Sequence, residues 1–175
     1  LTIAPGVEVV FQPRPGTDRG WYLAVEGTLA ARGEEESPIV FTAADRTAPW
    51  GSIVFRDTSE DWDEARGVGC ILSGCVIEYG GSDPEGGAMV TTYNAMPMIR
   101  NNAVRFGSAG GIAAFATEDA VSLSGNIQIR DNQIYGNAAG LQPFEDFRLG
   151  VGDLLDRAEE LQMHRFDRRD DRDFR

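Results

Sequence analysis

The residues best suited to chemistry are acidic, and most of them lie in stretches without apolar periodicity. Asp57, Glu60, Asp61 and Asp63 fall close together in a polar run from Asp57 to Gly69. Ca2+ is bound by several oxygen ligands, so this group is the best candidate for a metal site, although neither an EF-hand loop nor a nonapeptide Ca2+ repeat is present. A solvated loop is the plainer reading. Trp62 sits inside the same run and offers an aromatic face of the kind that stacks on sugars; it is the tryptophan to test for ligand contact. Glu78 follows Ile77, so it points outward if Ile77 points inward. Hydrolysis by paired carboxylates needs two or three that converge, one with a raised pKa. Asp57, Asp83, Glu85, Glu118 and Asp119 would have to be brought together by loops to supply them, and solvated loop charge is the commoner outcome. Cys70 and Cys75 lack a CxxC spacing and a His partner, and read as small buried fillers. A disulfide across the bend between them would need an oxidising compartment, and the extended Cys70–Leu72 stretch places the two Cα atoms beyond the limit of about 7 Å. His164 is the only histidine and has no partner in sequence.

The elements that must position these residues are announced by a self-match. The stretch from Pro97 to Ile112 superposes on the stretch from Ile127 to Leu141 without a gap, at an offset of thirty. Ile99 falls on Ile129, Asn102 on Asn132, Val104 on Ile134 and Gly110 on Gly140. The apolar residues alternate and then lose phase at Asn, which suits two short strands joined by a bend and does not suit a helix. Asn tolerates left-handed backbone angles and can bond its own backbone, and Gly supplies a second corner. One unit is then three short strands and three bends, one coil of a solenoid, and each coil completes its neighbour's core. Backward, Leu72 falls on Ile99, Cys75 on Asn102, Ile77 on Val104 and Gly80 on Gly107, and Gly86-Gly87-Ala88 matches Gly110-Gly111-Ile112 after an insertion. Cys75, Asn102 and Asn132 then form a structural column, in which Asn amides about 4.8 Å apart can bond along its length.

After Pro143 the pattern changes. Val151, Leu154, Leu155, Ala158 and Leu161 share one face at helical spacing, which predicts a helix from Gly152 to Met163. Three segments follow: a β-solenoid over 1–143, a capping helix segment over 144–163, and a charged tail over 164–175. The helix caps the open end of the solenoid or, on a sharper reading, docks on another chain.

These residues resemble the right-handed parallel β-helix family, the pectate-lyase-like superfold, and within it the bacterial extracellular β-helix repeat proteins. The resemblance is carried by the repeats, by Leu1 to Phe11, by Val25 to Leu29, by Ser37 to Thr42 and by Trp50-Gly51-Ser52-Ile53-Val54-Phe55. It implies an all-β, single-stranded right-handed parallel β-helix of about five coils with a C-terminal capping α-helix. It also implies a structural role for Trp50, whereas Trp21 precedes a strand and packs under the first loop. In enzymes of this superfold the chemistry sits on one sheet. The resemblance places that sheet at Ile53 to Phe55, Ala88 to Val90, Ile112 to Ala114 and Leu141 to Pro143. The outward row is then Val54, Met89, Ala113 and Gln142, with no carboxylate, His or Lys. Lyases of this kind use an Arg or Lys base with acidic Ca2+ ligands, and that row supplies neither. The reading therefore leans against catalysis.

Charge bounds the partners. The 175-residue chain has a formal net charge of −12, and all 16 of its basic residues are Arg. An acidic surface argues against nucleic acid and anionic membranes, and no apolar run is long enough to span a bilayer. The chain starts inside a strand motif, as a mature fragment or excised domain would, and the resemblance implies secretion or a cell-surface location. The expected function is a non-catalytic scaffold, adhesion or assembly module that needs no cofactor. The alternative is a carbohydrate-active β-helix that binds or cleaves an acidic polysaccharide, with Ca2+ as its cofactor and Trp62, Asp57 and Glu78 as ligand contacts. Its partners would be a polysaccharide or another protein chain.

Overall fold

The computed structural model describes residues 1–82, 87–116 and 127–143. Those residues form an all-β structure in which the chain runs through three sheets in rotation. The first circuit comprises β1 (Thr2–Ile3), β2 (Glu8–Phe11) and β3 (Leu23–Val25). The second comprises β4 (Ala30–Arg32), β5 (Ile39–Ala43) and β6 (Ile53–Phe55). The third comprises β7 (Ile71–Ser73), β8 (Cys75–Glu78) and β9 (Ala88–Tyr93). The fourth comprises β10 (Met98–Arg100), β11 (Ala103–Arg105) and β12 (Gly110–Phe115). The fifth comprises β13 (Gln128–Arg130), β14 (Gln133–Tyr135) and β15 (Ala139–Pro143). Every strand pairs in parallel with the strand three places before or after it, giving three five-stranded sheets.

Strands of three residues cannot stand alone, so the core has to be shared between circuits. The inward positions supply it. Ala31, Leu72 and Ile99 lie opposite one another in the first sheet, and Phe41, Ile77 and Val104 in the second. In the third sheet, Ile53, Val90 and Ile112 share a row. All nine are buried in one hydrophobic cluster. Trp50 lies in that cluster too; its ring stacks on Phe11 with centroids 4.4 Å apart, and its indole N–H donates to the Glu78 carbonyl at 2.8 Å. Trp21 is half exposed, with the Arg14 guanidinium of the first loop over its ring.

The corners explain where the strands stop. Between the first and second sheets, Gly74, Asn101 and Asp131 take left-handed angles (φ 64°, 53° and 57°). The left-handed residue is thus the one before Asn102 and Asn132, and not those asparagines themselves. Between the second and third sheets, Tyr79, Phe106 and Gly136 do the same (φ 56°, 57° and 65°).

Two expected registers are corrected in the third sheet. Gly110 pairs with Ala139, not Gly140, and Ile112 with Leu141. The offset falls from thirty to twenty-nine because the chain takes four residues (106–109) from β11 to β12 but only three (136–138) from β14 to β15. Earlier in the chain, Gly110 pairs with Ala88 and Ile112 with Val90, so the glycine pair Gly86-Gly87 is not the counterpart of Gly110-Gly111. The slip is two residues, which keeps each side chain on its face while changing its neighbours. The expected helix over Gly152–Met163 and the tail after it lie outside the described residues, as do Asp83, Glu85, Glu118 and Asp119. No helix among the described residues is long and apolar enough to cross a membrane.

Candidate functional site

The corner between the first and second sheets holds Cys75, Asn102 and Asn132 in successive circuits. The Asn102 side-chain oxygen accepts the Cys75 N–H at 2.9 Å, and its amide nitrogen donates to the Leu72 carbonyl at 3.1 Å. That nitrogen also donates to Asn132 Oδ1 at 2.9 Å, and the same oxygen accepts the Asn102 N–H at 3.1 Å. Asn132 Nδ2 in turn donates to the Ile99 carbonyl at 2.9 Å. Each amide thus ties its own circuit to the one before it, and its bonds go to neighbouring circuits instead of its own backbone. Asn137 repeats the device at the next corner: Oδ1 accepts the Gly107 N–H at 2.8 Å and Nδ2 donates to the Val104 carbonyl at 2.9 Å. Sequence reading missed Asn137; the signal was there, since Asn137 falls opposite Gly107 at the offset of thirty.

Both cysteines are buried and free. Burial pushes the Cys75 thiol up to about 12, against the weaker pull of hydrogen bonds with Ser73 and Gly33. Burial also raises Cys70, whose sulfur donates to the Gly27 carbonyl at 3.2 Å and accepts the Leu29 N–H at 3.4 Å. A thiol in either state is a poor nucleophile and a poor metal ligand.

Glu78 points outward from β8, in register with Arg105 one circuit after and within hydrogen-bond reach of Thr42 one circuit before. Its Oε2 accepts both Nε and Nη2 of Arg105, each at 2.8 Å, and its Oε1 accepts the Thr42 hydroxyl at 3.2 Å. Arg105 Nη1 donates to the Tyr135 hydroxyl at 3.1 Å. That bond, and then the Glu78 carboxylate, raise the Arg105 pKa, so the guanidinium stays charged. Beside this column Tyr79 stacks on Phe106 (5.6 Å) with the Arg46 guanidinium over Tyr79 (4.6 Å), and Tyr135 meets Phe106 edge-on. The rings pack on one another and the Glu78 carboxylate is engaged by Arg105 and Thr42, so these side chains form a ladder along the sheet.

The 57–69 segment is less free than a solvated loop. The Trp62 N–H donates to the Met96 carbonyl at 2.9 Å, and Asp61 Oδ1 accepts the Met96 N–H at 2.7 Å. Asp63 Oδ1 accepts the Arg66 N–H at 3.1 Å. The Trp62 indole N–H donates to Glu64 at 2.6 Å, and the Arg32 guanidinium lies 5.2 Å from the Trp62 ring centre. Arg32 also donates to the Gly67 carbonyl at 3.2 Å, and Glu64 lies 3.9 Å from Arg130. The segment therefore lies against the outer side of the first sheet. Asp57 and Glu60 are exposed. Among the described residues no three His, Cys, Asp or Glu side chains are grouped to hold a metal ion. Asp61 and Asp63 each accept a backbone N–H instead, from Met96 and Arg66.

The outward row of the third sheet also changes. Val54, Thr91 and Ala113 lie opposite one another, with Gln142 next in register. Met89 is not on it. Met89 lies in the core cluster, its sulfur 3.4 Å from the Gly80 N–H. Val54, Thr91 and Ala113 are all buried, so this is not an open groove with exposed side chains. A shallow cavity of about 240 Å3 opens at the first circuit, lined by Leu1, Leu23, Val25 and Leu29 with Glu26.

No protein-family profile, curated protein or solved structure matches the chain. The class defined by the coordinates is an all-β protein of three stacked parallel sheets tied by corner asparagines.

Proposed function

We propose that the three parallel sheets are the faces of a right-handed parallel β-helix, and that the chain is a non-catalytic scaffold, adhesion or assembly module of a secreted or surface bacterial protein. The observation that carries this reading is the in-register stacking, with Asn102 bonded to Asn132 across circuits. Right-handed crossover is the rule for parallel strands joined in one sheet. A structure whose side chains repeat in columns spends its polar groups on holding circuits together. Glu78, Arg105 and Tyr135 illustrate this on the second sheet, and their engagement leaves them unsuited to proton transfer.

A second reading, binding or cleavage of an acidic polysaccharide, has one feature in its favour. Trp62 and three outward arginines, Arg32, Arg100 and Arg130, belong to one side of the first sheet. The two readings part on cleavage. The intact chain is incubated with a panel of neutral and acidic polysaccharides, with and without Ca2+, and new reducing ends and unsaturated products are measured. The scaffold reading expects no product. Ca2+-dependent cleavage that disappears in Asp57→Ala or Asp61→Ala would overturn it.

A further inference from the structure

We infer that Arg100 and Arg130 form an oxyanion-binding site on the outer side of the first sheet, beside the 57–69 segment. The inference is independent of the scaffold reading and names a ligand chemistry for the second one, on which it rests only in taking an acidic polysaccharide as one source of the anion.

The register places four side chains in a column. Arg32 lies opposite Ser73, Ser73 opposite Arg100, and Arg100 opposite Arg130. Inward residues alternate with these: Ala31, Leu72 and Ile99 belong to the core. Neighbouring strands stand about 4.8 Å apart, so Arg100 and Arg130 are like charges directly across a parallel ladder, an arrangement that is unfavourable unless something negative lies between or beside them. The two end members have found partners. Arg32 rests over Trp62 and donates to the Gly67 carbonyl. Arg130 has Glu64 at 3.9 Å, too long for a hydrogen bond, and that carboxylate already accepts the Trp62 indole. Arg100 is the member left over. Its Nε is buried without a hydrogen-bond partner, one of two such atoms among the described residues. A buried guanidinium N–H without an acceptor is uncommon, because the donor has given up water for nothing.

The geometry points to an anion of two or more oxygens. A guanidinium presents Nε–H and Nη–H in one plane as a fork that fits a carboxylate, sulfate or phosphate edge. An oxyanion on the Arg100 guanidinium, one strand spacing from Arg130, would screen the pair, and a small shift of the side chain would bring the orphaned Nε–H to it. The chain is strongly acidic as a whole, so a local pair of arginines without a full carboxylate complement is where an anion would settle. Trp62 beside the column would give a sugar-borne anion an apolar surface as well.

The test is a thermal-shift and calorimetric titration of the full chain at fixed ionic strength. Its arms are sodium sulfate, inorganic phosphate, polygalacturonate and a neutral glucan. Arg100→Gln and Arg100→Lys are compared with wild type, with Arg14→Gln, remote from the column, as control. Saturable stabilisation by an anionic probe is expected, with apparent Kd weakened about tenfold or more in Arg100→Gln and partly in Arg100→Lys, which keeps the charge and loses the fork. Arg14→Gln should leave the Kd unchanged. Arg130→Gln, at an exposed position, gives a second variant should Arg100→Gln fold poorly, and should also weaken binding. Response to polygalacturonate supports the site with a polysaccharide source; response to sulfate or phosphate alone supports the site and removes the polysaccharide reading. No saturable response to any anion, or a response unaltered by both Arg100 variants and by Arg130→Gln, overturns the proposal.

Discussion

At the scale of single residues, the column at Asn102 decides most. Its side chain is almost fully buried and bonds to groups in the circuits on either side of its own: the Leu72 carbonyl and the Cys75 N–H in one, Asn132 in the other. Replacement by Ala leaves a buried N–H and a buried carbonyl without partners, each worth about 1–3 kcal/mol and not strictly additive, so Asn102→Ala should destabilise the chain by about 2–4 kcal/mol in urea denaturation. Asn132→Ala should cost less, since Asn132 is only half-buried and lies in the last described circuit. A loss at Asn102 no greater than that at Asn132 would count against the column as a structural tie. Cys75 gives a different expectation. Its native thiol sits near 12, well above the ordinary thiol. The folded state therefore holds its proton where the unfolded state has lost it. Stability from this group is fully present below about pH 9 and falls as pH rises toward about 12, by up to about 1.4 kcal/mol per unit. A disulfide-exchange reagent at pH 8 should leave Cys75 unmodified until denaturant is added. Rapid modification in the native state would show that the thiol is not buried in solution.

At the scale of elements, the corners carry the architecture. Aromatic residues at two left-handed corners, Tyr79 and Phe106, are costly, at about 1–2 kcal/mol each. Their stacking on one another returns about 0.5–1.5 kcal/mol, so the ladder offsets only part of the backbone strain. Gly74 has no such latitude. It takes φ 64°, and a Cβ there would lie 2.4 Å from the Gly33 carbonyl oxygen, while a Cβ on Gly33 would lie 2.1 Å from the Gly74 oxygen. These glycines let two circuits approach backbone to backbone. Gly74→Ala should cost about 3 kcal/mol or more in denaturant titrations, because both strain and contact oppose it. A loss below about 1 kcal/mol would mean that the corner can open, which these contacts deny.

At the scale of the whole molecule, burial is graded along the stack. Inward residues Ile3, Val9 and Leu23 of the first circuit are only partly buried, whereas Phe41, Leu72, Ile77 and Val90 of the next two are fully buried. A stacked structure opens from the circuits with the least shared core. Amide hydrogen exchange should thus be fastest in β1 to β3 and slowest in β7 to β11. Uniform protection along all circuits would show that stability is pooled across the molecule instead of being built up neighbour by neighbour.

The strands and their order of stacking are legible in the residues alone. Apolar alternation, the Asn positions and the offset of thirty are local and periodic, so they could be read without coordinates, and Ile99 does pair with Ile129 and Val104 with Ile134. The registers of the third sheet were set by packing in three dimensions. There, corners of unequal length and an insertion before Ala88 left two glycine-based alignments, and contact alone chose between them. It alone decided that Met89 enters the core. It alone laid the 57–69 segment against the arginines of the first sheet, because a segment without period carries no sign of the surface it will cover. Arg100 shows the division: its place opposite Arg130 is written in the repeat, but the burial that strips its Nε of a partner comes from the chain packed around it.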